Sequence, residues 1–309
     1  MRSTPTVRRR THTTLITLGV VLGALLALAG CGYSQTVQDG GPVSTTATTV
    51  AQNGETTSST APDTSSTTLS GETIQVSVYF VLNEKMQAIH RTIPYTKQTA
   101  AAAVQALVAE PTPEETQLGI FTAIPDGTLL LGVNIEGPTA TVDLSREYES
   151  GGGSLSMGLR LAQVVYTLTQ FPSVETVQFK LDGKPITVFG GEGFLLEHPV
   201  GRLDYEDHTP AILVESPTIG DVVTSPLRVH GSSNTFEATS QLQIVDADGR
   251  TLVDQFVTAT SGSGTRGTWD VTVPFTAEPG TSISLITFEY SAKDGSMINV
   301  TEIPLTVGQ

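Results

Sequence analysis

The only cysteine in this chain of 309 residues, Cys31, ends an apolar run that begins at Leu15. A single thiol excludes a disulfide within the chain, and it excludes a zinc site built from several thiolates. Any folded part must therefore be held together by hydrophobic cores. The place of the cysteine, directly after the run, then becomes informative about its role.

The amino terminus has the pattern of an export signal. Four arginines, at positions 2, 8, 9 and 10, precede the apolar run and form the basic region of such a signal. The run spans roughly 15 residues, fewer than the ~20 that a transmembrane helix usually needs. Its end in small residues is typical of a cleavage site. The pattern predicts a signal peptide over residues 1–30.

The residues at the end of this signal, Leu28, Ala29, Gly30 and Cys31, closely resemble the bacterial lipobox. That resemblance implies that the cysteine is diacylated through its sulfur and becomes the first residue of the mature chain. Two acyl chains anchor a protein stably, whereas one is marginal. We therefore expect the protein at the extracytoplasmic face of the plasma membrane, attached through diacylglyceryl-modified Cys31.

Residues 31–71 are predicted to form a disordered stalk. Ser and Thr make up 18 of the 37 residues from Ser34 to Ser70, and this stretch contains no aromatic residue, Lys or Arg. It cannot bury enough apolar surface to offset the entropy of ordering. The stalk would let the folded part stand away from the bilayer.

The charge of the chain argues against nucleic acid as a partner. It has 16 basic and 31 acidic residues, a net charge of −15, and loss of the four signal-peptide arginines takes the mature chain to −19. Binding to a phosphate backbone is driven by neutralisation with Lys and Arg. An anionic membrane surface would also repel this chain, so the lipid must supply the attachment.

Residues 72–195 mix strand and helix patterns and predict an α+β domain. Strands are predicted over 73–82, 86–93, 129–135, 140–144 and 175–181. The first helix is predicted from 100 to 108 with Pro111 and Pro113 as its stop, and the second from Ser154, as N-cap, to Leu168. The order is βαββαβ-like, a split βαβ arrangement with the helices on one face of the sheet.

Residues 196–210 are predicted to be a linker, and residues 211–309 change to strands alone. Seven short strands are predicted over 211–214, 227–230, 241–245, 251–257, 268–273, 282–290 and 298–307. Short strands separated by turn residues, without a helical period, favour an immunoglobulin-like sandwich. We expect Trp269 and the nearby Phe256, Phe275 and Phe288 in its core.

Both domains resemble known families. Over roughly residues 71–193 the chain resembles the GerMN domain, on the segments Val78-Tyr79-Phe80-Val81, Ala123-Ile124-Pro125-Asp126-Gly127-Thr128 and Ala140-Thr141-Val142-Asp143-Leu144-Ser145. Residues 211–307 resemble the immunoglobulin-like spore-germination-associated domain, on Ser225-Pro226-Leu227-Arg228-Val229-His230-Gly231 and Asp248-Gly249. The resemblance implies an envelope protein without an established catalytic residue. GerMN is also similar in strand and helix order to ring-building domains, which makes protein assembly the expected task.

Catalytic and metal sites find weak support in the residues. His198 and His208, with the acidic residues between them, could in principle hold a metal, but a solvated acidic linker explains them as well. Asp246-Ala247-Asp248-Gly249 lacks the later ligands of a calcium loop and favours a hairpin turn. We predict no catalytic residue, no metal site and no cofactor.

Two further groups, a pair of serines and two pairs of carboxylates, are of residue types that occur in catalytic sites. The serines 154 and 156 follow glycines without forming a nucleophile elbow, so helix capping is favoured. The carboxylate pairs Glu114-Glu115 and Glu147-Glu149 could cut a glycan in principle, but acidic neighbours in loops are usually solvated.

Two functions follow from this sequence. The leading hypothesis is a non-enzymatic, lipid-anchored envelope protein that binds another envelope protein as a scaffold or accessory factor. The alternative is a peptidoglycan-binding or other glycan-binding module or, less favoured, a wall-glycan hydrolase. Exposed aromatic residues in a row on the sandwich would favour glycan binding, whereas an exposed strand edge or apolar patch on the first domain would favour protein assembly.

Overall fold

The computed structural model describes residues 71–190 and 193–309. The signal peptide, the lipobox with Cys31 and the stalk up to residue 70 lie outside the described residues, so these stay predictions. Among the described residues, no helix is long and apolar enough to cross a membrane.

The first domain is α+β, as predicted. Its helices are α1 (Thr99–Val108), α2 (Pro113–Gln117) and α3 (Ser154–Leu168). Its strands are β1 (Thr73–Leu82), β2 (Lys85–Pro94), β3 (Leu130–Glu136), β4 (Thr139–Leu144), β5 (Thr176–Leu181), β6 (Lys184–Pro185), β7 (Val188–Phe189) and β8 (Phe194–Leu195). Helix α3 is buried along most of its length, because both the β1–β2 hairpin and the second sheet pack around it.

The strands of this domain form separate sheets rather than one. Strands β1 and β2 form a two-stranded sheet, to which Phe121 adds one backbone bridge at Val81, while β3, β4, β5 and β6 form a four-stranded sheet in that order, in which β4 and β5 are parallel. The free edge of β1 is occupied by other groups: the Ser77 N–H donates to Gln170 Oε1 and the Tyr79 N–H to Thr167 Oγ1. These contacts satisfy two backbone N–H groups of β1 that have no partner strand.

The predicted end of the first helix before Pro111 is confirmed, but two details of the helices differ from the predictions. The short helix α2 is not predicted; it begins at Pro113, and its N-cap Thr112 forms a reciprocal capping box with Glu115. Proline suits this position because the first helical N–H needs no partner within the helix. Ser154 was expected to be the N-cap of α3, but Gly153 has that place in an extended conformation and Ser154 is the first helical residue.

The second domain is an immunoglobulin-like β-sandwich. Its strands are β9 (Ile212–Ser216), β10 (Val222–Val223), β11 (Leu227–Ser233), β12 (Thr239–Asp246), β13 (Thr251–Thr258), β14 (Gly267–Val273), β15 (Ser282–Tyr290) and β16 (Met297–Val307). One sheet has the order β10-β16-β15-β12-β13 and the other β14-β11-β9. The seven predicted strands are all present, and the sequence analysis missed only the two-residue β10.

The aromatic residues of the sandwich do not all lie in its core. Trp269 and Phe275 are buried between the sheets, whereas Phe288 is buried but does not belong to that core, so its prediction as a core residue is wrong. Phe256 is 68% exposed, so its prediction as a core residue is wrong. The reason is register: Phe256 pairs with Gln241, whereas the neighbouring Leu242 and Val257 point into the core.

The segment predicted as a solvated linker has fixed geometry. Residues Arg202–His208 form a 3₁₀ segment that packs against α3, and Tyr205 within it is buried in the core of the first domain. Leu213, on β9 of the sandwich, is part of that same core. The prediction of a linker without fixed geometry is therefore wrong, because the segment and β9 complete the core of the first domain, although Asp204 and Asp207 are exposed as predicted.

Candidate functional site

A buried polar cluster joins the two domains. Arg202 donates from Nη1 to Glu215 Oε1 at 2.6 Å, and the Tyr79 hydroxyl donates to the same oxygen. The Arg202 guanidinium also lies over the rings of Tyr79 and Tyr166, at 5.4 and 4.6 Å from their centroids. The three residues Tyr79, Arg202 and Glu215 come from the first domain, the connecting segment and the sandwich, and we name them the interdomain cluster.

Burial and charge set the protonation of the interdomain cluster. Burial, together with the negative charge of Glu215, raises the pKa of Tyr79 far above its ordinary value, so its hydroxyl stays a neutral donor. Burial of Glu215 opposes its ionisation, but Arg202 and the hydrogen bond from Tyr79 outweigh burial and hold its pKa below the usual value. The cluster is thus an ion pair with a supporting hydroxyl. Its donors and acceptors satisfy one another, which is the arrangement of a structural cluster.

Two further pairs tie the domains together. His90 Nδ1 lies 2.7 Å from Asp221 Oδ2, and the His90 N–H donates to Thr218 Oγ1. Arg266, buried in the sandwich, forms a bidentate pair with Glu206 of the connecting segment at 2.8 and 3.0 Å. Several buried and half-buried pairs at one boundary resist sliding between the domains.

The candidate metal ligands of the 198–208 segment do not form a cluster. His198 is exposed, while His208 lies against Gly158 of α3 and its pKa is lowered by burial and by Lys85. Asp204 accepts from the Gly201 N–H, and Glu206 is paired with Arg266. Among residues 71–190 and 193–309, no group of three or more His, Cys, Asp and Glu side chains could hold a metal ion.

The carboxylates weighed for catalysis have structural contacts. Glu115 forms a bidentate pair with Arg91 at 2.6 Å, and Glu149 accepts from the Gly190 N–H. Asp246 accepts hydrogen bonds from the backbone of Asp248 and Arg250, which makes the 246–249 segment a hairpin turn. These contacts give Glu115, Glu149 and Asp246 structural roles.

The serines weighed as nucleophiles lie at the start of α3. Ser156 Oγ accepts from the guanidinium of Arg160, which also donates to backbone carbonyls of the preceding loop and to the Ala123 carbonyl. Burial lowers the pKa of Arg160. The contacts of Arg160 and Ser156 thus hold the loop before α3 in place.

The first domain has a strand, β3, that lies at the edge of its sheet. In the described part of the chain, β3 has a neighbouring strand on one side only, β4, so its other edge is open. Leu129, Leu131 and Ile135 are exposed along this edge. Strand β3 contains no proline, and its protective features are a single charged residue at its end, Glu136, and a bulge between Leu130 and Gly132. The apolar character of this strand is visible in the sequence, whereas its place at the edge of the sheet depends on strand pairing.

A groove accompanies this edge. It has a volume of about 310 Å³ and lies between the start of α1 and the strand, with lining residues Lys97, Ala100, Ala101, Val133, Ile135 and Phe171. The groove is also lined by the polar residues Gln98, Thr99, Asn134 and Ser173. Edge and groove together form one surface of mixed polarity, which we name the β3 edge. An extended peptide added at such an edge gains main-chain hydrogen bonds, and a groove beside it receives alternate side chains.

Comparison with known families confirms the two resemblances. Residues 77–187 match the Germane family, described as sporulation and spore germination. Residues 211–296 match Gmad2, described as an immunoglobulin-like domain of bacterial spore germination. Two stretches of the chain thus match domain models whose descriptions refer to spore germination.

Solved structures are similar to parts of the chain. A candidate lipoprotein from Clostridium perfringens is 22% identical, with 44% of this chain and 93% of that chain covered and a TM-score of 0.33. The tandem GerMN domains of the sporulation protein GerM from Bacillus subtilis are 16% identical, with coverages of 66% and 62% and a TM-score of 0.37. The first of those domains alone is 23% identical, with coverages of 42% and 99% and a TM-score of 0.34. No curated protein matches the chain.

Proposed function

Because this chain carries a Germane domain followed by a Gmad2 immunoglobulin-like domain, we propose that it is a non-enzymatic, lipid-anchored scaffold of the cell envelope. Its task is to bind another envelope protein at the outer face of the plasma membrane. The observation that supports this best is the β3 edge, where a strand has no partner strand on one side and a groove lies beside it.

An open edge strand needs a partner or a cover. Soluble proteins usually blunt such edges with charge, proline or bulges, since open edges pair with other chains. The edge here has a bulge between Leu130 and Gly132, yet the exposed side chains on both sides of it remain apolar. Pairing with a strand of another protein would bury them and satisfy the free backbone groups.

The anchor and the interdomain cluster fit the same task. Diacylation at Cys31 would hold the chain on the membrane, and the stalk would give the folded unit reach. The interdomain cluster, with the pairs around Asp221 and Glu206, fixes the two domains to each other. A partner bound at one domain would therefore be held in a defined orientation to the other.

The alternative of a glycan-binding module has one observation in its favour. Phe256 and Tyr290 are exposed aromatic residues on the sandwich. Aromatic side chains can stack on sugars, so peptidoglycan is the competing ligand. A wall-glycan hydrolase has less support, because one carboxylate of each candidate pair, Glu115 and Glu149, is engaged in a structural contact.

The test is in-cell cross-linking and affinity capture of the full-length protein. The wild type would be compared with Cys31→Ala, with Leu131→Lys at the β3 edge, and with Leu203→Lys, an equally charged change at another exposed leucine. We expect a recurrent envelope protein with the wild type and with Leu203→Lys, and its loss with Leu131→Lys and with Cys31→Ala. Muropeptides recovered without a protein partner would favour the glycan-binding module. A protein partner that is retained by Leu131→Lys would refute the role of the β3 edge.

A further inference from the structure

The outer side of the five-stranded sheet of the sandwich has an aromatic row. Gln241 pairs with Phe256 on one side and with Phe288 on the other, so the three side chains share this side of the sheet. The ring of Tyr290 packs edge-on against Phe288 at 5.1 Å between centroids. Phe288 is buried beneath its neighbours, whereas Phe256 and Tyr290 are more than half exposed.

A second row, two residues along each strand, ends in carboxylates. Gln243 pairs with Asp254 and with Ile286, and Ile286 pairs with Glu302. Asp254 Oδ1 accepts from Gln241 Nε2 at 2.7 Å, and Glu302 Oε1 accepts from a serine hydroxyl at 2.8 Å. We name the two rows together the acidic face.

No positive charge neutralises the acidic face. Strands β12, β13, β15 and β16 contain no Lys, Arg or His. Within the described residues, no basic side chain pairs with Asp254 or Glu302, whereas Asp270 on the other sheet is paired with Arg228. The carboxylates of the acidic face therefore keep a negative potential beside exposed aromatic rings.

From this arrangement we infer that the acidic face binds a cationic segment of another envelope protein, one in which Lys or Arg alternates with apolar residues. Arg and Lys interact favourably with both carboxylates and aromatic faces. A second copy of this chain is a poor occupant, because it would present the same negative charge. A neutral glycan would use the rings but leave the carboxylates without a counter-charge. This surface lies on the second domain and does not depend on the β3 edge.

The test measures binding of a defined probe to the full-length protein in detergent micelles. The probe is a labelled nine-residue peptide of alternating arginine and valine, and its counterpart has glutamate in place of arginine. The variants are the double change Asp254→Asn with Glu302→Gln, and Phe256→Ser. The matched controls are Asp270→Asn, a carboxylate on the other sheet, and Phe236→Ser, an equally exposed aromatic in the loop before β12. Each variant is first checked for an unchanged thermal transition.

We expect the arginine peptide to bind and the glutamate peptide not to bind. The double variant should weaken binding roughly 2- to 30-fold, the effect of losing two exposed ion pairs. Phe256→Ser should weaken it too, the two controls should not, and added salt should reduce binding. Equal weakening by Asp270→Asn, binding that is insensitive to salt, or soluble muropeptides that bind at Phe256 while the arginine peptide does not would each overturn the inference.

Discussion

Glu215 should be one of the most costly single side chains to remove from this protein. It accepts hydrogen bonds from Arg202 and Tyr79, and its loss leaves the guanidinium without its counter-charge in a mostly buried place. Breaking a buried ion pair from one side typically costs about 3–5 kcal/mol, and we take about 2–4 kcal/mol because both side chains keep some exposure. For a unit of this size, that free energy corresponds to a fall in Tm of roughly 5–15 °C.

The assay is thermal and urea unfolding of the full-length protein with Glu215→Ala. Asp270→Ala is the control, since it removes a carboxylate from the same sheet that pairs with an arginine in solvent, with 69% and 49% of the two side chains exposed. We expect the control to change the transition far less, because solvent screens exposed pairs. Equal shifts in Tm for the two variants would refute the description of the interdomain cluster as a buried network.

Three other changes test separate parts of the structure. The pKa of Glu215 in the folded state lies below its unfolded value of ~4.3. Ionised Glu215 therefore stabilises the fold fully above that pH, and this contribution to the free energy of unfolding is lost as the pH falls through the folded-state pKa. Glu215→Gln should flatten this acid dependence in urea titrations. Gly231→Ala should lower the free energy of unfolding by about 1–3 kcal/mol, since the new Cβ would lie 2.1 Å from a backbone oxygen of β9. The control Gly132→Ala places its Cβ in open space and should be neutral or slightly stabilising in the same unfolding assay. Cys31→Ala should move the protein from the membrane to the soluble fraction, and an unchanged membrane fraction in cell fractionation would contradict lipid anchoring.

Local patterns predicted most elements well. The alternating residues of β1 and the uninterrupted helical stripe of α3 are properties of nearby residues, so the sequence shows them directly. Predictions failed where a distant group intervened. Two backbone N–H groups of β1 donate to side chains at the end of α3, about 90 residues away, and β1 with β2 forms a sheet of its own rather than part of the expected single sheet.

The candidate sites follow the same division. The sequence shows that residues 129–135 are apolar and uncharged, but pairing with β4 alone decides that this strand is an edge. The exposure of Phe256 depends on its register opposite Gln241, which the strand pattern did not reveal. The sequence also gave no reason to place the 202–208 segment in the core.

By itself the sequence determined the two domain types, the lack of disulfides and the expectation of a lipid anchor, because composition, periodicity and short motifs are local properties. Tertiary structure alone decided that Tyr79, Arg202 and Glu215 meet, since the tyrosine and the carboxylate are 136 positions apart. It likewise decided which apolar residues stay on the surface. Both outcomes depend on strand pairing and packing between distant segments, which no local pattern encodes.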